Sequence, residues 1–414
     1  MGRKKLASQF AWVSAGRLIG ALIQAVTMLL LARDLGPYEF GLFSAVFGTI
    51  IVFQSALDLG IATMVVKERA ADPQSPVIHS ALRVADHSSF ALAAVIAFPL
   101  AALGTFLDPF FMLLLPLSVW AAAERHSETW LSVPLADGDA RINTQNLLIR
   151  RTAAALLYLG AVFAGIHAAV AFSAAMALTA LISLIVIRKV VSSRLTPPLS
   201  ALGLREIVRI SWPFWMNSLG TQARNLDTLL VSAFAGPTQA GFYAATSRAT
   251  GPLRIFSTSM AAVLLPASAG KERKHLRKLF KLVWAMGAFC GLLYGTLMLL
   301  VPAVVHLFLG DAYRGAVLPL QIVLAGLVFA ALSSLFNSIL QGAGLQYFVA
   351  KTSVITTGAC LILVSIGSLF LGAIGAAFAL SFSFVLQSAI LASRVSKFAR
   401  RPPARHRLSA PTGM

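Results

Sequence analysis

The chain has 414 residues, of which 58% are hydrophobic and only 12% are charged. Soluble globular domains carry about 25% charged residues, so this composition excludes that class of protein. Lysine and arginine outnumber aspartate and glutamate by 34 to 15, which gives a formal net charge of +19. Because apolar runs recur along the chain, this excess indicates cytoplasmic loops beside anionic lipid rather than nucleic-acid binding. We predict an all-α polytopic membrane protein.

Hydropathy predicts about 12 transmembrane helices, since a span needs about 20 consecutive, mostly apolar residues. In chain order the predicted spans are 10–32, 40–66, 77–104, 109–131, 144–165, 167–187, 207–235, 240–266, 279–300, 316–340, 347–371 and 373–393. The first apolar run is too long for a signal peptide and lacks a cleavage site, so we expect it to stay as an anchor.

Alternate connectors carry nearly all of the basic residues found between the spans. They comprise residues 3–5, 67–69, 141, 188–205, 271–281 and 394–407. The positive-inside rule places these connectors and both chain termini in the cytoplasm. The predicted domains are an N-terminal lobe of six helices (1–188), a cytoplasmic linker (189–206), a C-terminal lobe of six helices (207–394) and a basic cytoplasmic tail (395–414).

Two segments of the chain align without a gap at an offset of 200 residues. LARDLGPYEFGLFSA surrounds Gly36, and VSAFAGPTQAGFYAA surrounds Gly236. The matched pairs are Trp12 with Trp212, Gly20 with Gly220, Leu29-Leu30 with Leu229-Leu230, Gly36-Pro37 with Gly236-Pro237, and Gly41 with Gly241. A Gly-Pro turn repeated by chance does not account for the matches on both sides of it. Because six spans separate the copies, the lobes share one orientation about a pseudo-twofold axis along the membrane normal.

Further motifs accompany the repeated segments. They are DLGIATMVVKERA, WPFWMNSLG, NLDTLLVSAFAGPTQAGFYAATSRATGPL and a late LLPASAG. With these motifs, residues 1–395 resemble the polysaccharide-biosynthesis (Wzx-type) flippases of the multidrug, oligosaccharidyl-lipid and polysaccharide exporter (MOP) superfamily. The resemblance implies two lobes splayed around a central cavity, with an oligosaccharide on a polyprenyl pyrophosphate as substrate. The lipid II flippases add two helices that this chain lacks, which argues against that branch.

Polar stripes run along the first span of each lobe, where an arginine costs about 2.5–3.5 kcal/mol at the helix centre. The N-terminal stripe comprises Arg17, Gly20, Gln24 and Thr27, and the C-terminal stripe comprises Asn217, Gly220, Arg224 and Asp227. Their spacing of three or four residues places each stripe on one helix face. In the next spans, Gln54 and Asp58 correspond to Arg254 and Thr258.

At two equivalent positions, Gln24/Arg224 and Gln54/Arg254, the N-terminal lobe has glutamine and the C-terminal lobe has arginine. We therefore predict a central cavity that is more cationic on its C-terminal wall, where arginine can bind a pyrophosphate through paired N–H donors. The predicted substrate-binding residues are Arg17, Gln24, Gln54, Asp58, Asn217, Arg224, Asp227 and Arg254. A structural alternative is that Arg224 and Asp227 neutralise each other and that Arg17 bonds to neighbouring carbonyls.

Other charged residues favour structural roles. Arg83, Asp86, His87, Glu124, Arg125 and Glu128 lie near predicted cytoplasmic helix ends. Ion pairs that join helices are expected there, and a cationic vestibule that includes Arg150 and Arg151 is the alternative. Arg248 fits either the membrane interface or the cavity wall. The run 271–281 alternates basic and apolar residues, as a helix on the lipid surface does.

We predict a flippase that carries a lipid-linked oligosaccharide across the bacterial cytoplasmic membrane by alternating access, for cell-surface polysaccharide. No catalytic residue, metal or cofactor is expected. The expected partners are the polyprenyl-pyrophosphate-linked oligosaccharide, membrane lipids and polysaccharide assembly proteins. Two alternatives stay open. A multidrug/cation antiporter of the same superfamily would favour acidic cavity residues, and an integral-membrane glycosyltransferase or polymerase would need a sizeable extramembrane loop with acids.

Overall fold

The computed structural model describes residues 3–195, 202–268 and 273–400. These ranges contain no strand; their helices are α1 (Arg3–Leu57), α2 (Ile61–Ala71), α3 (Pro76–Phe106), α4 (Phe110–Leu113), α5 (Pro116–Ala136), α6 (Ala140–Phe163), α7 (Ala168–Ser192), α8 (Leu204–Gln222), α9 (Asp227–Ala235), α10 (Pro237–Ser268), α11 (Arg273–Phe308), α12 (Val317–Gly342) and α13 (Gln346–Arg400). Short 3-10 turns, Ala223–Leu226 and Asp311–Ala316, precede α9 and α12. Most of the predicted tail lies outside the described residues, as do parts of two basic connectors.

Within the described ranges, seven helices are long and apolar enough to cross a membrane. Two of these stretches, Trp12–Leu57 and Gln346–Lys397, have 46 and 52 residues. At 1.5 Å per residue, each is more than twice as long as the roughly 30 Å hydrocarbon core, so each can cross twice. Each also contains a glycine with non-helical backbone angles, Gly36 or Gly372. The fold is an all-helical multi-pass membrane protein, and the count of 12 crossings stays a prediction.

A glycine–proline turn occurs at the aligned position in both halves of the chain. Gly36 has φ 71° and ψ 172°, and Gly236 has φ 87° and ψ 165°. An L side chain is strained at these positive φ values, so glycine is required at both turns. Proline follows each glycine and starts the next helical stretch, where its missing N–H costs nothing. The aligned sequences therefore share one backbone conformation.

The two turns bring α1 and α10 into direct backbone contact. A Cβ atom on Gly41 would overlap the carbonyl of Pro237, and a Cβ atom on Gly241 would overlap the carbonyl of Pro37. A glycine of one helix thus contacts a proline of the other twice, once as Gly41 with Pro237 and once as Gly241 with Pro37. Reciprocal contacts of this kind are what a local twofold axis produces. We call this feature the glycine crossing.

Aromatic side chains of α1 pack at the centre of the largest buried cluster, which includes side chains from both halves. Phe43 stacks on Phe40 and Phe47 at centroid distances of 6.0 and 5.5 Å. Phe47 in turn stacks on Trp120 of α5 at 4.9 Å. The Tyr313 hydroxyl donates a 2.8 Å hydrogen bond to the carbonyl of Ala32, which joins the two halves again.

Large apolar side chains also cover the outside of the bundle. Phe98, Phe106, Phe163 and Leu299 are 79–89% exposed. Such a surface would promote aggregation in water, whereas lipid tails solvate it. The outer surface thus agrees with the membrane location that the helix lengths indicate.

Candidate functional site

A cavity of about 690 Å³ lies in the C-terminal half, among α8, α9, α10, α12 and α13. Three arginines line it, Arg224, Arg248 and Arg254, together with one described carboxylate, Asp227. Neutral polar side chains, among them Gln346, complete much of the wall. We call this space the arginine cavity.

Two of its arginines share one aromatic ring. The Cζ atoms of Arg224 and Arg254 each lie 5.2 Å from the ring centroid of Phe384, which is 2% exposed. The negative face of an aromatic ring attracts a guanidinium group, and more strongly where water is excluded. Phe384 can therefore orient both side chains without using the N–H groups that a ligand would need.

Arg248 connects the cavity to the N-terminal half. Its Cζ atom lies 5.2 Å from the ring centroid of Phe47, the α1 side chain that stacks on Trp120. The sequence left two positions open for Arg248, and the structure places it in the cavity wall. A cavity residue of one half thus rests on aromatic side chains of the other half.

The three arginines have unused hydrogen-bonding capacity. The Nε atoms of Arg224 and Arg248 are buried and have no acceptor within the described part of the chain. Across the same residues, no ion pair includes Arg224, Arg248 or Arg254. Buried donors without a partner are rare in folded proteins, because they have given up water without a replacement. An anionic ligand in the cavity would balance the charge of the three arginines.

Asp227 is held by hydroxyl and amide groups. The Tyr243 hydroxyl donates to its Oδ2 at 2.8 Å, while the Thr228 amide and hydroxyl donate to its Oδ1 at 2.6 and 3.1 Å. Arg224 forms no ion pair with it. The alternative in which Arg224 and Asp227 neutralise each other by direct contact is therefore not what the structure contains.

Several charged side chains of the N-terminal half are paired with one another. Asp58, at the end of α1, forms an ion pair with Arg125 of α5, and Arg125 also contacts Glu128 at 3.0 Å. Glu124 of α5 pairs with Arg150 of α6 at 2.8 Å. These pairs join three helices and leave little net charge where they meet.

A second cluster lies on the same side of this half. Asp86 of α3 contacts His126 of α5 at 2.8 Å and Arg188 of α7 at 2.5 Å. The guanidinium of Arg188 also lies 5.2 Å from the ring centroid of Trp130. Charged residues near these helix ends thus join helices, as their positions in the sequence indicated.

The structure brings three of the eight predicted substrate-binding residues into the arginine cavity. These three are Arg224, Asp227 and Arg254. Asn217 belongs to α8, next to that cavity, but its side chain lies outside the described ones.

The four predicted residues of the N-terminal half lie elsewhere. Gln24 lines a cleft of about 50 Å³ that also contains Arg150 and Arg151, and Arg17 lines a separate space of about 290 Å³. Gln54 donates to the carbonyl of Ala121 at 3.0 Å. Asp58 has Arg125 as its partner. The two polar stripes therefore do not meet in one cavity in this conformation.

Sequence reasoning missed Phe384 and Gln387, which α13 contributes to the site. Both lie within a long apolar run, where a phenylalanine is indistinguishable from the lipid-facing and core residues around it. The available signal was Gln387, a polar residue one helical turn after Phe384 in a membrane-spanning stretch.

Comparison with known proteins places the chain in a family. The profile described as "Polysaccharide biosynthesis protein" matches residues 30–318. The chain belongs to this family. The membership that the sequence motifs indicated is thereby confirmed. No curated protein matches the chain at a significant level.

Solved structures similar to this family member are MOP-superfamily transporters. An inward-facing multidrug resistance MATE family transporter aligns with a TM-score of 0.66 and 16% identity, over 92% of this chain and 94% of that one. The lipid II flippase MurJ in an inward closed conformation aligns with 0.70 and 14%, over 93% and 87%. A MOP superfamily transporter from Pyrococcus furiosus, described as having a binding pocket of reverse polarity, aligns with 0.59 and 14%, over 94% and 95%. At these identities the similarity establishes the fold.

Proposed function

We propose that this protein is a flippase that moves a lipid-linked oligosaccharide across the bacterial cytoplasmic membrane, with the pyrophosphate bound in the arginine cavity. The observation that carries the proposal is the set of Arg224, Arg248 and Arg254, which have no ion-pair partners and line one space. Membership of a polysaccharide biosynthesis family supports an oligosaccharide substrate. MurJ is named as a lipid II flippase, which supports a lipid-linked substrate for this fold.

The chemistry of such a substrate matches the cavity. A headgroup with two phosphates and many hydroxyls cannot cross hydrocarbon unaided, because each unpaired polar group costs several kcal/mol there. Arginine can bind phosphate oxygens through two parallel N–H bonds, and the neutral polar wall can bind hydroxyls. The polyprenyl tail can remain in the bilayer while the headgroup is inside the protein. This transport needs no covalent step, so the proposal includes neither a catalytic residue nor a cofactor.

The finer architecture is part of the same proposal. It comprises 12 crossings, two six-helix lobes at 1–188 and 207–394, and both termini in the cytoplasm. The matched turns at Gly36 and Gly236 and the reciprocal glycine crossing support a pseudo-twofold relation between the lobes. Polysaccharide assembly proteins are the proposed protein partners.

Topology reporters test the proposed orientation. A reporter that is active only outside the cytoplasm should be inactive after Arg194 or Lys274, and active near Pro237 or Asp311. These sites follow from the basic connectors, which the positive-inside rule assigns to the cytoplasm. A reversed pattern at the four sites would overturn both the orientation and the parallel arrangement of the lobes.

A multidrug/cation antiporter is the main alternative, because MATE transporters share the fold. An organic cation needs accessible negative charge, yet Asp227 is the one described carboxylate in the cavity wall and already accepts three hydrogen bonds. A glycosyltransferase or polymerase is the second alternative. It would need free carboxylates, whereas Asp58 and Glu124 of the N-terminal half are engaged in ion pairs. Neither alternative gives the three unpaired arginines a role.

Reconstitution into proteoliposomes separates the three functions. We expect a fluorescent lipid-linked oligosaccharide to become accessible in the opposite leaflet at a rate that depends on the protein. An organic cation should not accumulate under a proton or sodium gradient, and the oligosaccharide should keep its length. Cation accumulation without lipid movement would establish the antiporter instead, and a change in chain length would establish an enzyme.

A further inference from the structure

A second space adjoins the arginine cavity and has Phe384 in its lining. It measures about 200 Å³ and lies among α10, α12 and α13. Arg224, Arg254 and Gln387 line both spaces. A group bound to the two arginines would therefore lie at the entrance to this second space, which we call the side pocket.

The side pocket has a different chemistry from its neighbour. Beyond the shared residues, its polar lining consists of hydroxyl and amide side chains, including Ser257, Ser333, Ser334 and Asn337. No carboxylate and no further arginine or lysine line it among the described residues. The side pocket is polar and, apart from the two arginines at its entrance, uncharged.

One of these side chains has an unused acceptor. The Oδ1 atom of Asn337 is buried and accepts no hydrogen bond from the residues that the structure describes. Ser333, on the same face one turn earlier, makes only a long 3.4 Å hydrogen bond to the carbonyl of Phe384. A buried amide oxygen without a donor is rare in folded proteins and requires an explanation.

We propose that the side pocket binds the sugar unit directly attached to the pyrophosphate. This inference rests on the proposed function, because the two arginines must hold the pyrophosphate for its first sugar to reach the pocket. Sugar hydroxyls both donate and accept hydrogen bonds, and asparagine and serine can do both, whereas arginine only donates. The volume suits one sugar ring and not a chain.

The side pocket gives the protein a way to recognise a loaded carrier. A bare polyprenyl pyrophosphate would satisfy the arginines but leave the Asn337 Oδ1 atom without a donor. A site built to hydrogen-bond a group discriminates against a molecule that lacks it, because its polar atoms are then buried unpaired. The protein should therefore bind the sugar-bearing lipid more tightly than the lipid without sugar.

Two variants remove polar atoms from the pocket while leaving the arginines in place. Asn337→Leu keeps the branching of the side chain at Cγ and removes both the amide donor and the acceptor. Ser334→Ala removes one hydroxyl and serves as the milder second variant if Asn337→Leu is poorly produced. Gln321→Leu is the matched control, because this amide lies on α12 but outside the pocket, where it donates to the carbonyl of Met298 at 3.2 Å.

The experiment measures dissociation constants of the purified full-length protein in lipid nanodiscs. The two probes are polyprenyl pyrophosphate and the same lipid carrying one N-acetylhexosamine. Wild type and Gln321→Leu should bind the sugar-bearing probe about tenfold more tightly, which is the scale of one hydrogen bond in a buried site. Asn337→Leu should bind the two probes equally and keep the wild-type affinity for the bare lipid.

The outcomes separate this inference from the proposal beneath it. Equal binding of both probes by wild type would overturn the side pocket as a sugar site. An unchanged preference for the sugar-bearing probe in both Asn337→Leu and Ser334→Ala would do the same. Neither result would contradict the proposed flippase function. Failure of wild type to bind either probe would overturn the pyrophosphate site and the sugar site together.

Discussion

The two halves of this protein differ in the ion pairing of the charged residues that lie among their helices. In the N-terminal half, Asp58 pairs with Arg125, and Glu124 pairs with Arg150. In the C-terminal half, three arginines line one cavity without ion pairs, and its carboxylate is bound by hydroxyl and amide groups instead. Paired charge joins helices at little net cost, whereas unpaired charge in a membrane is expensive and is retained where a ligand needs it.

At the aligned positions 54 and 254, the two halves differ by the replacement of a neutral amide with a guanidinium group. Gln54 satisfies its amide by donating to the Ala121 carbonyl, while Arg254 at the matched position lies on Phe384 and faces the cavity. A neutral side chain can therefore complete its hydrogen bonds within the fold at this position. A guanidinium at the same position retains donors for something else.

The largest expected effect comes from breaking a pair in the N-terminal half. Arg125→Gln leaves the Asp58 carboxylate, whose side chain is 5% exposed, without its partner, and removing one member of a buried pair costs about 3–5 kcal/mol. We expect a clear fall in the thermal unfolding temperature in detergent. The double variant Asp58→Asn/Arg125→Gln should recover much of that loss. Unchanged stability of Arg125→Gln would show that this pair is not structural.

The next largest effect is expected at Arg254, and on transport rather than stability. Arg254→Gln breaks no ion pair and introduces the residue that the other half has at this position, so abundance should stay normal. The pyrophosphate loses a charge-assisted contact of about 1.5–3 kcal/mol, and transport should fall about ten- to a hundredfold. Arg254→Lys keeps the positive charge but lacks the paired N–H donors of the guanidinium group, so its transport rate should be intermediate.

Complementation of surface polysaccharide, with membrane levels measured in parallel, checks this prediction. Lys397→Gln is the control for loss of one positive charge, since Lys397 lies near the end of α13, away from the cavity. Full activity of Arg254→Gln at normal abundance would remove Arg254 from the site and weaken the cationic cavity as a whole.

A pair of variants asks whether Arg224 and Asp227 act as a unit. If Arg224 binds pyrophosphate, Arg224→Gln and the double variant Arg224→Gln/Asp227→Asn should be equally inactive. Asp227→Asn alone should reduce transport less than tenfold, which corresponds to less than about 1.4 kcal/mol. The oxygen of the neutral amide can still accept a hydrogen bond from the Tyr243 hydroxyl. Transport assays at matched expression decide the point. Recovery of activity in the double variant would mean that the two charges only neutralise each other.

The smallest effect is expected at the shared ring. Phe384→Leu removes the face on which Arg224 and Arg254 rest, and a cation–π contact is worth about 0.5–1 kcal/mol, so affinity should fall about two- to fivefold. Phe40→Leu is the control. This buried ring stacks on Phe43, and among the described residues no arginine side chain lies over it. Equal affinities of both variants for a lipid pyrophosphate would exclude an orienting role for Phe384.

The all-helical membrane class, the family and the repeated Gly-Pro turn could be predicted from the sequence. All three depend on local composition and short motifs. The sequence also selected Arg224, Asp227 and Arg254, since a charge inside an apolar span is conspicuous. It could not predict that Asp58 pairs with Arg125. Such a pairing depends on how α5 is rotated against α1, and that rotation is set by packing between residues 67 positions apart.

The same reason explains the missing members of the cavity. Phe384 becomes part of the site only because α13 packs beside α10, and Arg248 faces the cavity only because Phe47 offers it a ring. Neither relation leaves a periodic signal in the sequence. In this structure Gln24 and Arg17 occupy separate spaces. That both polar stripes line one cavity stays a prediction.

The glycine crossing has a mechanical consequence for a transporter that alternates its access. Gly41 packs on Pro237 while Gly241 packs on Pro37, so one rigid movement must loosen both contacts together. This end of the bundle should therefore open as a cooperative step and not widen by degrees. A methyl group at either glycine acts as a wedge on the same joint. Gly41→Ala and Gly241→Ala should each favour the open form.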